Sequence, residues 1–166
     1  AATAPKDVTA VAVRHGAGAL RFSPDNRLLA VGTSDGVVHV LDAKQQFVPL
    51  GSLVATDGAP AHAGLVVAID WSDDSTLLRS GCVVGALRCW DATARRPLSL
   101  GEPSDAQRLT GALWATSTVS SAWGAQGVWA PSTVAEGAIS RRGGVPMVDR
   151  SPEGDAIVSG DTHGSV

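Results

Sequence analysis

Two stretches of the chain align at a constant separation of 49 residues (22 to 71, 42 to 91). The first carries Leu20-Arg21-Phe22-Ser23-Pro24-Asp25, then Ser34-Asp35-Gly36 and Asp42-Ala43. The second carries Ile69-Asp70-Trp71-Ser72-Asp73-Asp74, then Gly85 and Asp91-Ala92. Phe22 falls on Trp71, Ser23 on Ser72, Asp25 on Asp74 and Gly36 on Gly85. A further match starts at Ser151-Pro152-Glu153-Gly154, 128 residues after the first (23 to 151, 36 to 164). Self-similarity at a fixed period means a row of small units, each burying a face against the next. A period near the roughly 40–45 residues of one propeller blade predicts an all-β propeller.

A closed ring takes at least about four blades. A chain of 166 residues therefore holds about three to four, an incomplete ring. It starts at Ala1 rather than Met and stops at Gly164-Ser165-Val166, where a strand should begin. We read it as a piece of a longer protein, with the rest of the propeller supplied by missing parts of the chain. The expected division is residues 1–17 as the end of a preceding blade or a linker, 18–61 as one blade and 62–110 as a second. Residues 111–166 are expected to hold divergent strands plus a partial blade.

Turn chemistry marks the strands. Ser23-Pro24-Asp25-Asn26 fixes a turn, because Pro presets φ and Asp and Asn bond their own backbone. Asp35-Gly36 is a strong hairpin signal. Strands are expected at residues 8–14, 20–22, 28–32, 37–41 and 47–54, then at 66–71, 76–81 and 85–90, with a poor outer strand at 98–100. No segment keeps helical apolar spacing over several turns, so no helix is expected.

Apolar residues make up 44% and charged residues 17%, a globular composition. The net charge of −3 and the lack of any dense basic run give nothing that favours nucleic acid. The apolar runs are too short to span a membrane, and no signal-peptide pattern is visible. Cys82 and Cys89 fall about four rungs apart in the expected hairpin, too far for a disulfide, and are read as buried thiols in a reducing compartment.

The Ser-Pro-Asp turn and strand-final Trp90-Asp91 resemble WD repeats. Trp114-Ala115-Thr116-Ser117-Thr118, then Gly127-Val128-Trp129-Ala130-Pro131, then Arg150-Ser151 and Ala156-Ile157-Val158-Ser159-Gly160-Asp161 narrow this further. Together they resemble the echinoderm microtubule-associated-protein-like family. The resemblance implies a tandem pair of propellers in the intact protein, association with tubulin or microtubules or other cytoskeletal proteins, and a place in the cytoplasm, the cytoskeleton or a ciliary axoneme. With no convergent catalytic group in the sequence, the chain is expected to be a non-catalytic scaffold, with no cofactor, membrane or nucleic-acid ligand. The alternative is a generic WD-repeat adaptor with no microtubule role.

In WD repeats a strand Trp, a Ser or Thr, a His and a turn Asp form a buried network. Here Trp90, Ser80 and His62 supply three members, and Val84 stands where the turn Asp would. Asp35, Asp42, Asp91 and Trp129 are the other structural positions, Asp35 with surface contact as its second reading. Asp73 and Asp74 occupy the turn position of Pro24-Asp25 and are read as turn residues, and Asp70 is grouped with them. The four histidines show no metal-ligand spacing with one another or with Cys. The pairs Arg95-Arg96 and Arg141-Arg142 are either solvated surface or contacts for an acidic partner such as tubulin, since Arg makes bidentate bonds to carboxylates. Trp114, Trp123 and Trp129 divide between core packing and one exposed anchor.

Overall fold

The computed structural model describes residues 15–119 and 147–160. Two four-stranded antiparallel sheets follow one another, each with its strands in chain order. The first holds β1 (Ala17–Phe22), β2 (Leu28–Thr33), β3 (Val38–Asp42) and β4 (Val48–Leu53). The second holds β5 (Val66–Trp71), β6 (Leu77–Cys82), β7 (Leu87–Asp91) and β8 (Arg96–Leu98). A helix, α1 (Pro103–Gly111), comes next, and a hairpin of β9 (Met147–Arg150) and β10 (Ile157–Gly160) ends the described residues. The expected strand at 8–14 and residues Trp123, Trp129, Arg141 and Arg142 lie outside them.

The repeat shows itself most directly in the first turn of each unit. The Ser23 hydroxyl donates to Asp25 at 2.6 Å and accepts the Leu28 N–H at 2.9 Å. Ser72 does the same with Asp74 at 2.6 Å and Leu77 at 2.8 Å. In the third unit Ser151 accepts the Ala156 N–H at 3.0 Å, but its carboxylate partner is Asp155, at 2.7 Å, rather than Glu153. These serines satisfy a backbone donor that the tight turn leaves without a strand partner. The second turn of each sheet needs a left-handed residue, supplied by Gly36 (φ 81°) and Gly85 (φ 82°). A Cβ on Gly36 would also strike the His62 carbonyl, so the hairpin tip of the first sheet docks on the entry to the second.

The two sheets share one core. Ala30, Val38, Val40 and Leu53 of the first pack with Val66, Ile69, Trp71, Leu78 and Trp90 of the second. Hydrogen bonds that cross the seam include the Trp71 indole N–H to the Arg21 carbonyl at 3.1 Å, the Asp25 N–H to the Ser75 hydroxyl at 3.2 Å, and the His62 N–H to the Gly36 carbonyl at 3.2 Å. Burying two indoles and several branched side chains at one seam supplies the main adhesion between blades.

Two expectations are corrected. The outer strand of the second sheet is Arg96–Leu98 rather than 98–100, and it pairs only with Cys89, Trp90 and Asp91. A helix also forms at Pro103–Gly111 without an apolar stripe. Pro103 opens it, which suits the first turn. Its charges are held by the sheet: Arg96 grips Asp105 through two bonds of 2.7 and 3.0 Å, and Arg108 reaches Asp91 at 2.8 Å. The fold is thus nearly all β. Cys82 is buried and Cys89 half-buried, both as free thiols. Among the described residues no helix is long and apolar enough to cross a membrane.

Candidate functional site

The seam brings His62, Ser80 and Trp90 together. Trp90 donates its indole N–H to the Ser80 hydroxyl at 2.9 Å, and His62 Nε2 lies 2.7 Å from the same oxygen. Ser80 has no other acceptor among the described residues, so its proton goes to Nε2 and the imidazole proton sits on Nδ1. That Nδ1 is buried and unpartnered. Val84, at the position of Asp35, offers no acceptor and is 54% exposed. Burial, helped by the nearby Arg88 guanidinium, pushes the His62 pKa down to about 4. The trio is a neutral, rigid strut.

The acidic positions work as turn locks. Asp35 accepts the Thr33 hydroxyl at 2.6 Å and lies 3.4 Å from His15 Nε2. The Thr33 bond, opposed by partial burial and aided by His15, holds its carboxyl below the usual range. Asp42 accepts the N–H groups of Lys44 and Gln45 at 2.8 and 3.1 Å. Asp91 accepts the Ala94 N–H at 2.7 Å and pairs with Arg108.

Of the four arginines singled out, Arg96 is committed to Asp105. Arg95 stands at a left-handed φ of 52°, and its stem runs close over Gly51 on β4. Trp129, Arg141 and Arg142 lie outside the described residues.

The strongest polar centre lies elsewhere. Asp70, fully buried on β5, accepts Arg79 Nε at 2.9 Å, the Thr116 hydroxyl at 2.6 Å and the Thr118 N–H at 2.8 Å. The Thr118 hydroxyl at 2.9 Å and the Val119 N–H at 3.1 Å complete it. Burial alone would raise this carboxyl, yet Arg79 and the hydrogen bonds hold it below the usual range. Arg79 also lies 4.3 Å from the centre of the Trp114 ring, and it donates to the Thr116 carbonyl at 3.3 Å. This cluster fastens the Trp114–Thr118 motif to the second sheet. Asp70 is therefore an anchor and not a turn residue like Asp73 and Asp74. Its signal in the sequence is a pair of opposite charges, Asp70 and Arg79, within two strands, β5 and β6, that are otherwise mostly apolar.

Among the described residues, no group of three or more His, Cys, Asp or Glu side chains is placed to hold a metal ion. What the arrangement offers is shape: sheets joined at a largely apolar, buried seam, with loops and rims exposed. The family model described as "WD domain, G-beta repeat" matches residues 4–42, which end on Asp42 at the close of β3. The sheets are WD-repeat blades. The chain is 30% identical over 145 residues to echinoderm microtubule-associated protein-like 2 of Rattus norvegicus, covering 87% of this chain and 20% of that protein. It is 29% identical over 148 residues to the 77 kDa echinoderm microtubule-associated protein of Strongylocentrotus purpuratus, covering 89% and 19%. It is 28% identical over 147 residues to the ciliary WD repeat-containing protein ctxp80 of Euplotoides octocarinatus, covering 89% and 18%. The resemblance read from Trp114 to Asp161 is thus matched by curated relatives, and this WD-repeat chain spans about a fifth of their length.

Proposed function

We propose that this chain is part of a non-catalytic WD-repeat scaffold that associates with tubulin or microtubules and serves as a structural component of the cytoskeleton, including the ciliary axoneme. The similarity to microtubule-associated relatives over nearly nine-tenths of the chain carries the reading. The geometry is consistent with it: the buried ion pair of Asp70 and Arg79 and the turn carboxylates Asp25, Asp42 and Asp74 serve to fix blades and turns. We keep the division into units at 18–61, 62–110 and 111–166. The exposed face of the first blade is assigned to the rest of the ring.

Co-sedimentation of the full parent protein with stabilised microtubules, with and without residues 1–166, tests the reading. Pelleting that is lost on deletion, with the remaining protein still folded, supports a contact in this segment. Pelleting unchanged by the deletion makes the segment a spacer. No pelleting at low or moderate salt favours a generic WD-repeat adaptor instead.

A further inference from the structure

Ser99 closes the run Arg95-Arg96-Pro97-Leu98-Ser99, with Arg96 three residues ahead of it. No other serine or threonine of the chain has an arginine at that spacing. Basophilic protein kinases seat such an arginine in an acidic pocket and take the surrounding substrate in extended form. β8 is extended up to Leu98 and is the outer strand of its sheet. Ser99 and Leu100, which follow it, are both exposed. The Ser99 hydroxyl accepts the Gly101 N–H at 3.1 Å and donates to nothing among the described residues. The turn serines differ, since Ser23 and Ser72 are buried and donate to carboxylates.

The same serine touches the fastening of α1. Its N–H donates to Asp105 at 3.2 Å, the carboxylate that Arg96 grips. Asp105 is buried in the first turn of the helix. Among the described residues two ion pairs tie α1 to the sheet, Arg96–Asp105 and Arg108–Asp91. The Arg96 side chain is 48% exposed, which leaves it room to turn to a new acceptor.

We propose that Ser99 is a phosphorylation site for a basophilic serine kinase, and that the phosphate releases α1 from the second blade. The Ser99 oxygen forms a bond to the γ-phosphorus of ATP, ADP leaves with the bridging oxygen, and the hydroxyl proton passes to the kinase. The switch goes beyond microtubule association and does not depend on it. A phosphoserine carries about two negative charges at neutral pH and oxygens suited to a guanidinium. It competes with Asp105 for Arg96, and it sets a dianion beside Asp105 and Glu102 at the start of the helix, where like charges repel. With Arg96 withdrawn, Asp105 keeps only the Ser99 N–H, and Arg108 alone holds α1.

The test has two arms, both on the full parent protein. In the first, the protein is incubated with ATP and calmodulin-dependent protein kinase, and the modified serine is located by peptide mass spectrometry. Phosphate should appear on Ser99, and Arg96→Gln should slow its appearance at least about tenfold, the loss of one charge-assisted contact. A serine that is merely accessible would react as fast or faster in that variant, whose helix is loosened. In the second arm, phosphoserine is installed at position 99 during translation. Amide exchange at residues 106–109 should then quicken at least about tenfold while β5, β6 and β7 keep their protection, and phosphatase should restore the slow exchange. Absence of phosphate from Ser99, undiminished labelling of Arg96→Gln, unchanged exchange in α1, or loss of protection across the whole sheet overturns the proposal.

Discussion

The two complete blades present the same face to different surroundings. In the second, Ile69 and Trp71 of β5 are 0% and 1% exposed, sealed against the first blade. In the first, the equivalent Leu20 and Phe22 of β1 are 61% and 49% exposed. The registers match rung for rung: Phe22 opposes Leu29, which opposes Leu41, and Trp71 opposes Leu78, which opposes Trp90. Chemistry suited to a blade interface is therefore present in both, and among the described residues only the interface between the two sheets is filled. The Phe47 ring, 6.2 Å from Phe22, gives the open face part of its cover. A blade is thus a unit with two apolar faces, and its neighbours decide how much each apolar residue contributes.

This difference sets the largest expected effect. Trp71→Ala removes a sealed indole and its hydrogen bond across the seam, and should cost about 4 kcal/mol in denaturant unfolding of the parent protein. Phe22→Ala should cost under about 2 kcal/mol if its face is as open there, because half its surface already meets water. Equal losses would break the comparison by showing that another blade covers Phe22 in the intact ring. That outcome would also locate the ring's closing contact.

A second contrast concerns the charges on the inner strands. Asp70→Asn keeps the shape of the side chain but leaves Arg79 buried without its counter-ion, a loss of about 3 kcal/mol. Arg21→Met, at the equivalent position of the first blade, has no such pair to break, because Ala30 stands opposite it. The Asp70 carboxyl is depressed in the folded state, so its contribution is fully present above the unfolded pKa of about 4 and is lost as pH falls through the folded value. Acid unfolding should begin by releasing the Trp114–Thr118 segment, read as early loss of amide protection at Thr118 and Val119. Protection there that persists while β5 and β6 exchange would contradict this.

The strands and turns were legible because each is local and repeated. Ser23 and Ser72 act on residues five positions away, and Gly36 and Gly85 answer a local φ. The helix was not legible, because its support comes from Arg96 and Asp91 on the neighbouring sheet rather than from its own apolar spacing. Nor was the role of Asp70, whose hydroxyl partners Thr116 and Thr118 lie 46 and 48 residues away. The trio of His62, Ser80 and Trp90 could be named from residue types and position. The orphaned Nδ1 could be anticipated only from Val84, and needed the structure to show that no other group among the described residues reaches it.

That orphan gives the smallest of the three contrasts and the sharpest. The first blade carries the turn aspartate, Asp35, but has Val31 and Leu41 where the second has Ser80 and Trp90. The second has the serine and tryptophan but lacks the aspartate. Val84→Asp places an acceptor at the position Asp35 occupies, and should add about 1 kcal/mol by satisfying the buried Nδ1–H. It should also raise the His62 pKa from about 4, since a nearby carboxylate favours imidazolium. The sign follows from linkage. With the folded value depressed below the unfolded 6.5, the unfolded chain binds the extra proton, so stability falls as pH drops from 6.5 towards 4. Val84→Asp should flatten that slope, as followed by the histidine ring resonances and by unfolding midpoints at pH 5 and pH 7. An unchanged slope with an unchanged ring resonance would mean that Nδ1 is already served from elsewhere in the protein, and the two blades would then differ in sequence but not in the completeness of their buried networks.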